Sequence, residues 1–206
     1  MGTMRRTRFV AGAIPPGEHV PTADHRVVLY GVPWAQYEAQ LAWRGERPLP
    51  RISYLDGAME LMRPSRDHER IKSQLGRLIE AFALVRDVDL SPYGSWTLKA
   101  SVKEAGAEPD ECYLIGDQSR DRPDLVIEVI WTSGGLEKLE VYRRLGVPEV
   151  WFWKDDAIQI HVLGPDGYAP RTTSLGLPGI EVAQLLTFLE HPTSMQAVRA
   201  YIAALG

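Results

Sequence analysis

The chain has a single cysteine, Cys112, among its 206 residues. An intrachain disulfide and a cysteine-built zinc site are therefore excluded, and a reducing, cytoplasmic setting is the expected one. Long apolar runs are missing too. None approaches the roughly 20 residues that span a bilayer, so no membrane association is expected. The first residues, "MGTMRRTRFVAGAIPPGEHV", carry arginines followed by a brief apolar patch broken by Gly and Pro, too weak for a secretory signal. "MGT" ahead of Met4 reads as a leader, and residues 1–25 as a poorly ordered N-terminal extension before one domain over 26–206. An excess of positive charge is also lacking. The net charge of −4 argues against holding nucleic acid by bulk charge but leaves room for a local basic groove. There is no glycine-rich phosphate loop and no G-x-S-x-G elbow, which sets aside nucleotide-loop and serine-hydrolase chemistry.

What remains is an ordinary globular composition, 45% hydrophobic and 24% charged. "GVPWAQYEAQLAWRG" predicts a short helix after Pro33, and the two runs flanking Asp56-Gly57 predict a β-hairpin. "PSRDHERIKSQLGRLIEAFALV" predicts a long helix capped by Ser65 or Asp67, with Ile71, Leu75, Leu78, Phe82 and Val85 at helical spacing. From residue 93 to 163 the periodicity becomes that of strands: "YGSWTLKASV", "DECYLIG", "DLVIEVIW", "EVWFW" and "AIQIHVL". A helix, "GLEKLEVYRRLG", is inserted before the last two and capped by Gly146. Residues 164–180 read as a loop or weak hairpin, and "SMQAVRAYIAALG" as a final helix. This order specifies an α/β (α+β) sheet core with helices packed on it.

Three residues stand out against their surroundings. In "DLVIEVIW", Asp124, Val126, Glu128 and Ile130 share one strand face, and both faces are mainly apolar, as in an interior strand. A carboxylate at Glu128 is costly there unless a cation or hydrogen-bond donors meet it. Lys138 falls on the same helical arc as Val141, Tyr142 and Leu145, while Glu137, Glu140, Arg143 and Arg144 cluster opposite. It either snorkels outward with its stem packed or points at something negative under the helix, and Glu128 is the near candidate. Asp110 opens the strand expected to neighbour that of Glu128. Two carboxylates from adjacent strands can converge on one Mg²⁺ or Mn²⁺, with the lysine adding positive charge near a phosphate. The alternatives are an Asp110 that caps a turn and a Glu128 paired with Arg143 or Arg144.

The segments "EPDECYL" and "RPDLVIEVIWTSGGLEKLEVYRRLGVPEVWFW", preceded by "YLDGAMELMRPSRDHERIKSQLGRLI", resemble the core of the Uma-two family of restriction endonuclease-like proteins. That family lies within the PD-(D/E)xK nuclease superfamily. The resemblance spans about residues 30–163. It implies a restriction-endonuclease-like core, a central mixed β-sheet flanked by helices, and a magnesium-dependent phosphodiesterase site. Carried over position by position, Asp110 or Asp124 is the "PD" aspartate and Glu128 the second acid. Asp110 is preferred, because the resemblance implies an aspartate and a second acid on neighbouring strands. Asp124, about 13 Å from Glu128 in a fully extended strand, stays a candidate if the strand starts late or bends. The superfamily lysine belongs two residues after the acid, where this chain has Ile130, and Lys138 is the natural substitute. The turn "WTS" departs from the family's usual Ser-Pro-Ser. A histidine at the position of His68 is typical of the family and implies a part in the site or its hydrogen-bond frame; a structural histidine is the other reading.

Glu60, on the strand before the long helix, could add a third acid or simply face solvent. Arg63, Arg66, Arg70 and Lys72 surround the start of that helix and could contact phosphates, or form a solvated helix face. Together these features lead to a metal-dependent DNA endonuclease, acting on duplexes as a two-fold homodimer. The competing expectation is a weakly active or inactive nucleic-acid-binding or assembly protein on the same fold, which Ile130 favours and Lys138 opposes.

Overall fold

The computed structural model describes residues 22–131 and 135–206. Residues 1–21 of the expected extension, and Thr132 and Ser133 of the "WTS" turn, lie outside the described residues. The elements run β1 (His25–Leu29), α1 (Trp34–Arg44), β2 (Arg51–Leu55), β3 (Ala58–Arg63), α2 (Arg66–Val85), β4 (Leu90–Pro92), β5 (Leu98–Ala100), β6 (Ala105–Ala107), β7 (Glu111–Ile115) and β8 (Leu125–Val129). They continue with α3 (Lys138–Leu145), β9 (Glu149–Lys154), β10 (Ala157–Gly164), β11 (Gly167–Arg171), α4 (Val182–Thr187) and α5 (Ser194–Leu205).

The strands form two sheets. One has the order β1-β3-β2-β6-β5 and the other β11-β10-β9-β8-β7-β4. In the second sheet β8 and β9 are parallel and every other pairing is antiparallel, so the sheet is mixed. Parallel neighbours need a crossover connection, and α3 lies within it. The mixed α/β architecture implied by the sequence is therefore present.

All five residues of β8 are buried, and its period of two divides them between the layers. Leu125, Ile127 and Val129 pack with Trp151 and Trp153 of β9 against Ile71, Leu75, Leu78 and Phe82 of α2 and Ala197 and Tyr201 of α5. On the opposite face Val126 packs with Cys112, Val150 and Phe152 against Val141 and Tyr142 of α3 and Leu98, Ala105 and Ala107 of the first sheet. The first sheet and α3 thus cover the face that carries Glu128. β2 obeys the same alternation. Ile52 and Tyr54 turn toward Tyr37 of α1, so Arg51 and Ser53 turn the other way, toward the second sheet.

Helix α2 starts as expected, with the Ser65 Oγ accepting from the His68 N–H at 3.2 Å, and it ends at Arg86. Other expectations change. The run 93–102 is a strand only over Leu98–Ala100, followed by a 3₁₀ turn at Ser101–Lys103. Gly94, at φ +57°, turns the chain at the second residue of the predicted strand. α3 begins at Lys138, since Gly135 at φ +102° cannot be helical. The weak hairpin after residue 164 is real, as β10 pairs with β11 through Gly164↔Gly167.

Candidate active site

Between the two sheets runs a seam of buried polar side chains. The β7–β8 register, Glu111↔Ile127 and Cys112↔Val126, extended by one step sets Asp110 directly across from Glu128. The Glu108-Pro109 segment lets the chain leave the ladder there, and the side chain of Asp110 takes over. Its Oδ2 accepts from the Val129 N–H at 2.6 Å. Its Oδ1 faces His68 Nε2 at 2.8 Å and forms an ion pair with the Arg51 guanidinium of β2. Asp110 is only 1% exposed. Three donors from three elements answer its charge, as a buried carboxylate requires.

His68 is enclosed completely, and both ring nitrogens meet carboxylates. Nδ1 lies 3.0 Å from Asp24 Oδ2, and Asp24 Oδ1 accepts from the Ser65 N–H at 2.8 Å. Only a ring carrying both protons donates to both acids at once. Burial alone would raise the Asp24 carboxyl, but the bonds from His68 and Ser65 and the charge on His68 hold it below its usual range.

The sign of the resulting pH effect follows directly. A carboxylate depressed by folding contributes stability that is full above its unfolded pKa of about 4 and is lost as the pH falls through the folded value. Asp24→Asn should therefore lower the melting temperature at pH 7, and the gap to wild type should narrow below about pH 4. Thermal melts from pH 7 to 3 check this. A gap that stays constant across the range would discard the ion pair as its source.

Glu128, 5% exposed, is met by two groups of α3. Lys138 Nζ donates to its Oε1 at 3.3 Å, and the Tyr142 hydroxyl, one turn further on, donates to the same oxygen. Lys138 also donates to Ser53 Oγ at 3.0 Å, so the lysine ties both sheets together. Its side chain is 18% exposed and points inward at the acid. Burial, followed by the charge of Glu128 and the hydrogen bond to it, pushes the Tyr142 hydroxyl well above its ordinary pKa.

Glu60 pairs across the first sheet with Ser53. It accepts from the Leu136 N–H at 3.1 Å and pairs with Arg26 at 3.4 Å. A Cβ on Gly135 would collide with the Glu60 carboxylate, so glycine is what lets the chain pass this acid on its way into α3.

Asp110, Glu128, Lys138, His68 and Glu60 therefore belong to one seam. Asp124 does not. It stands at the opposite end of β8, where it accepts from the Ile115 N–H at 2.9 Å and pairs with Arg120, fixing the β7–β8 turn. Arg143 and Arg144 are committed to Glu140 and Asp56, so neither is the cation of Glu128. Of the basic residues at the start of α2, Arg63 and Arg66 are exposed, Arg70 is half-buried, and Lys72 pairs with Glu69 at 3.0 Å. Arg51, Ser53, Tyr142 and Asp24 join the site without having been singled out by the sequence. Tyr142 alone carried a local signal, lying four residues after Lys138 on the same helical arc.

Among the described residues, no group of three or more His, Cys, Asp or Glu side chains is arranged to hold a metal ion. The donor chemistry nevertheless suits a hard divalent cation, because Asp110 and Glu128 offer oxygens from opposed register positions. Each acid already pairs with a cation, Asp110 with Arg51 and Glu128 with Lys138. Among the described residues, no helix is long and apolar enough to cross a membrane.

Comparison with known proteins adds family membership. No curated protein matches the chain. A solved structure, described as a putative nuclease belonging to DUF820 from Anabaena variabilis, is 13% identical. The alignment covers 74% of this chain and 92% of that one, with a TM-score of 0.47. Residues 34–193 match the model of the family described as "Uma2: Putative restriction endonuclease". That span takes in both sheets' site-bearing strands, α2 and α3, and the chain belongs to the Uma2 family.

Proposed function

We propose that this chain is a metal-dependent endonuclease that hydrolyses DNA phosphodiester bonds. The supporting observation is the placement of Lys138 on Glu128 inside the buried seam between the sheets, with Asp110 at the register position opposite Glu128. A fold has no structural need to bury two acids from adjacent strands beside a lysine from a separate helix, since hydrophobic replacements serve stability as well or better.

Asp110 and Glu128 would hold magnesium or manganese, which supplies a Lewis acid and an activated water when bound. Lys138 presents its ammonium where negative charge develops on the phosphate, the role that Ile130 cannot fill. Tyr142 fixes the Glu128 carboxylate, and His68, held by Asp24, fixes Asp110. Glu60 anchors the first residues leading into α3 through the Leu136 N–H and so sets where Lys138 begins. Arg63, Arg66, Arg70 and Lys72 would contact phosphates, and two copies related by two-fold symmetry would cut both strands of a duplex in the cytoplasm.

The Arg51 guanidinium lying against Asp110 favours a second reading, a nucleic-acid-binding protein of the same fold with little or no catalysis. Supercoiled plasmid separates the two. The nuclease reading expects conversion to nicked and linear forms with Mg²⁺ or Mn²⁺ and none in EDTA. Folded protein that binds DNA yet cuts neither plasmid nor single strands with either ion establishes the second reading instead.

A further inference from the structure

The C-terminal end of α3 adjoins a cavity of about 310 Å³ that plays no part in the seam. Lys99, Lys103, Arg122 and Arg144 line it, with Asp121 as its one acid. Four cations against one carboxylate is a pronounced local excess in a chain whose net charge is −4. Two of the four are occupied elsewhere. Arg144 is tied to Asp56, Glu140 and the Lys103 carbonyl, and Lys99 pairs with Glu38 at 3.0 Å. Among the described residues, the side chains of Lys103 and Arg122 have no hydrogen-bond or ion-pair partner. Both are exposed. The left-handed Glu104, at φ +45°, ends the 3₁₀ turn that carries Lys103, and Arg122 lies against Gly146 at the end of α3.

The cavity has a defined relation to the candidate site. Lys138 and Arg144 are six residues apart on one helix, about 9 Å along its axis. Lys138 contacts Ser53 of β2, and Arg144 contacts Asp56 in the turn that follows that strand. α3 lies over β5 and β6 of the first sheet, with the acid–lysine pair at its first residue and the basic cavity at its last turn. One DNA strand carries a phosphate about every 3.4 Å of duplex axis, so with that axis along α3 the interval of about 9 Å corresponds to roughly three nucleotides.

We infer that this cavity binds a backbone phosphate of the nucleic acid about three nucleotides from the bond held at Lys138, with Lys103 and Arg122 as its donors. This rests on the nuclease reading and adds to it a second point of attachment and a direction for the strand along α3. It also reconciles an acidic chain with a polyanionic substrate, because the cavity is locally positive although the net charge of the chain is −4.

The test uses the full chain and a fluorescent 20-base-pair duplex, with anisotropy read in EDTA so that binding is measured without cleavage. Lys103→Ala/Arg122→Ala should weaken binding about tenfold and reduce the slope of log affinity against log salt by about 1, for the one phosphate left without its cations. Lys154→Ala/Arg171→Ala makes the same charge change on β9 and β11 and serves as the control. An equal loss in the control overturns the proposal in favour of bulk charge, and an unchanged affinity and slope in the cavity variant overturns it outright. Calorimetric titration with inorganic phosphate that shows tight uptake, alongside unchanged duplex binding, overturns it in favour of a small-anion site. Wild-type protein that binds no duplex overturns it together with the nuclease reading. Wild-type plasmid cutting with an unaffected cavity variant leaves the nuclease reading standing alone.

Discussion

Glu128→Gln is expected to slow plasmid cleavage by about a hundredfold or more, while the protein keeps its fold. Glutamine preserves the volume of the side chain and still offers an oxygen to the Tyr142 hydroxyl, but it removes the charge that faces Lys138. Loss of one preorganised charged group in a water-poor site typically costs about 10²–10³ in rate. Lys138→Met should match that loss in rate yet behave differently on heating. Removing Glu128's charge leaves a lysine that is partly exposed and can turn outward. Removing Lys138 leaves a buried carboxylate with Tyr142 as its remaining side-chain donor, and uncompensated buried charge costs about 3–5 kcal/mol at worst. Rate and melting temperature measured together therefore distinguish a catalytic pair from a structural one. Wild-type cutting that persists within about threefold in both variants would reject the assigned site, whatever happens to their stability.

Much of this pair could be read from one dimension. Glu128 stands out because β8 is apolar on both faces, and the structure covers both faces as that pattern requires. Lys138 stands out because it shares an arc with Val141, Tyr142 and Leu145, two of which are fully buried. The neighbourhood of Asp110 and Glu128 followed from two adjacent strands joined by a short turn, the commonest antiparallel arrangement. The residues that complete the site were hidden for a different reason. Arg51 and Ser53 alternate correctly with Ile52 and Tyr54, but no local pattern says which layer will meet the polar face of β2. That depends on a second sheet closing over the first, which brings together residues far apart in sequence. The β6 strand "AGA" is too short and too uniform to show any alternation, yet it leads through Glu108 to Asp110. Asp24 precedes an exposed edge strand and gains its role from Ser65 and His68, 41 and 44 residues later.

Arg44→Ala is expected to cost about 3–5 kcal/mol, although Arg44 lies outside the seam and ends a surface helix. The guanidinium grips Glu108 with both terminal nitrogens, at 2.7 and 2.5 Å. Both residues are buried. Glu108 also accepts from the Ile52 N–H at 2.8 Å and from Thr97 Oγ1 at 2.7 Å, so one carboxylate joins α1, β2 and the segment before β5. Truncating the arginine removes the cation and leaves this carboxylate with neutral donors alone. For a domain of this size the loss corresponds to a fall in melting temperature on the order of 10 °C. Adding Glu108→Gln to an Arg44→Leu background should recover part of it, because the amide oxygen still serves Ile52 and Thr97 while no charge remains buried. A double variant as unstable as the two single losses combined would instead assign the cost to poorer packing. Glu108 stands two residues before Asp110 and fixes where the chain crosses from the first sheet to the second. Any variant that loosens it should therefore lower the cleavage rate as well as the melting temperature, through the position of Asp110 rather than through its charge.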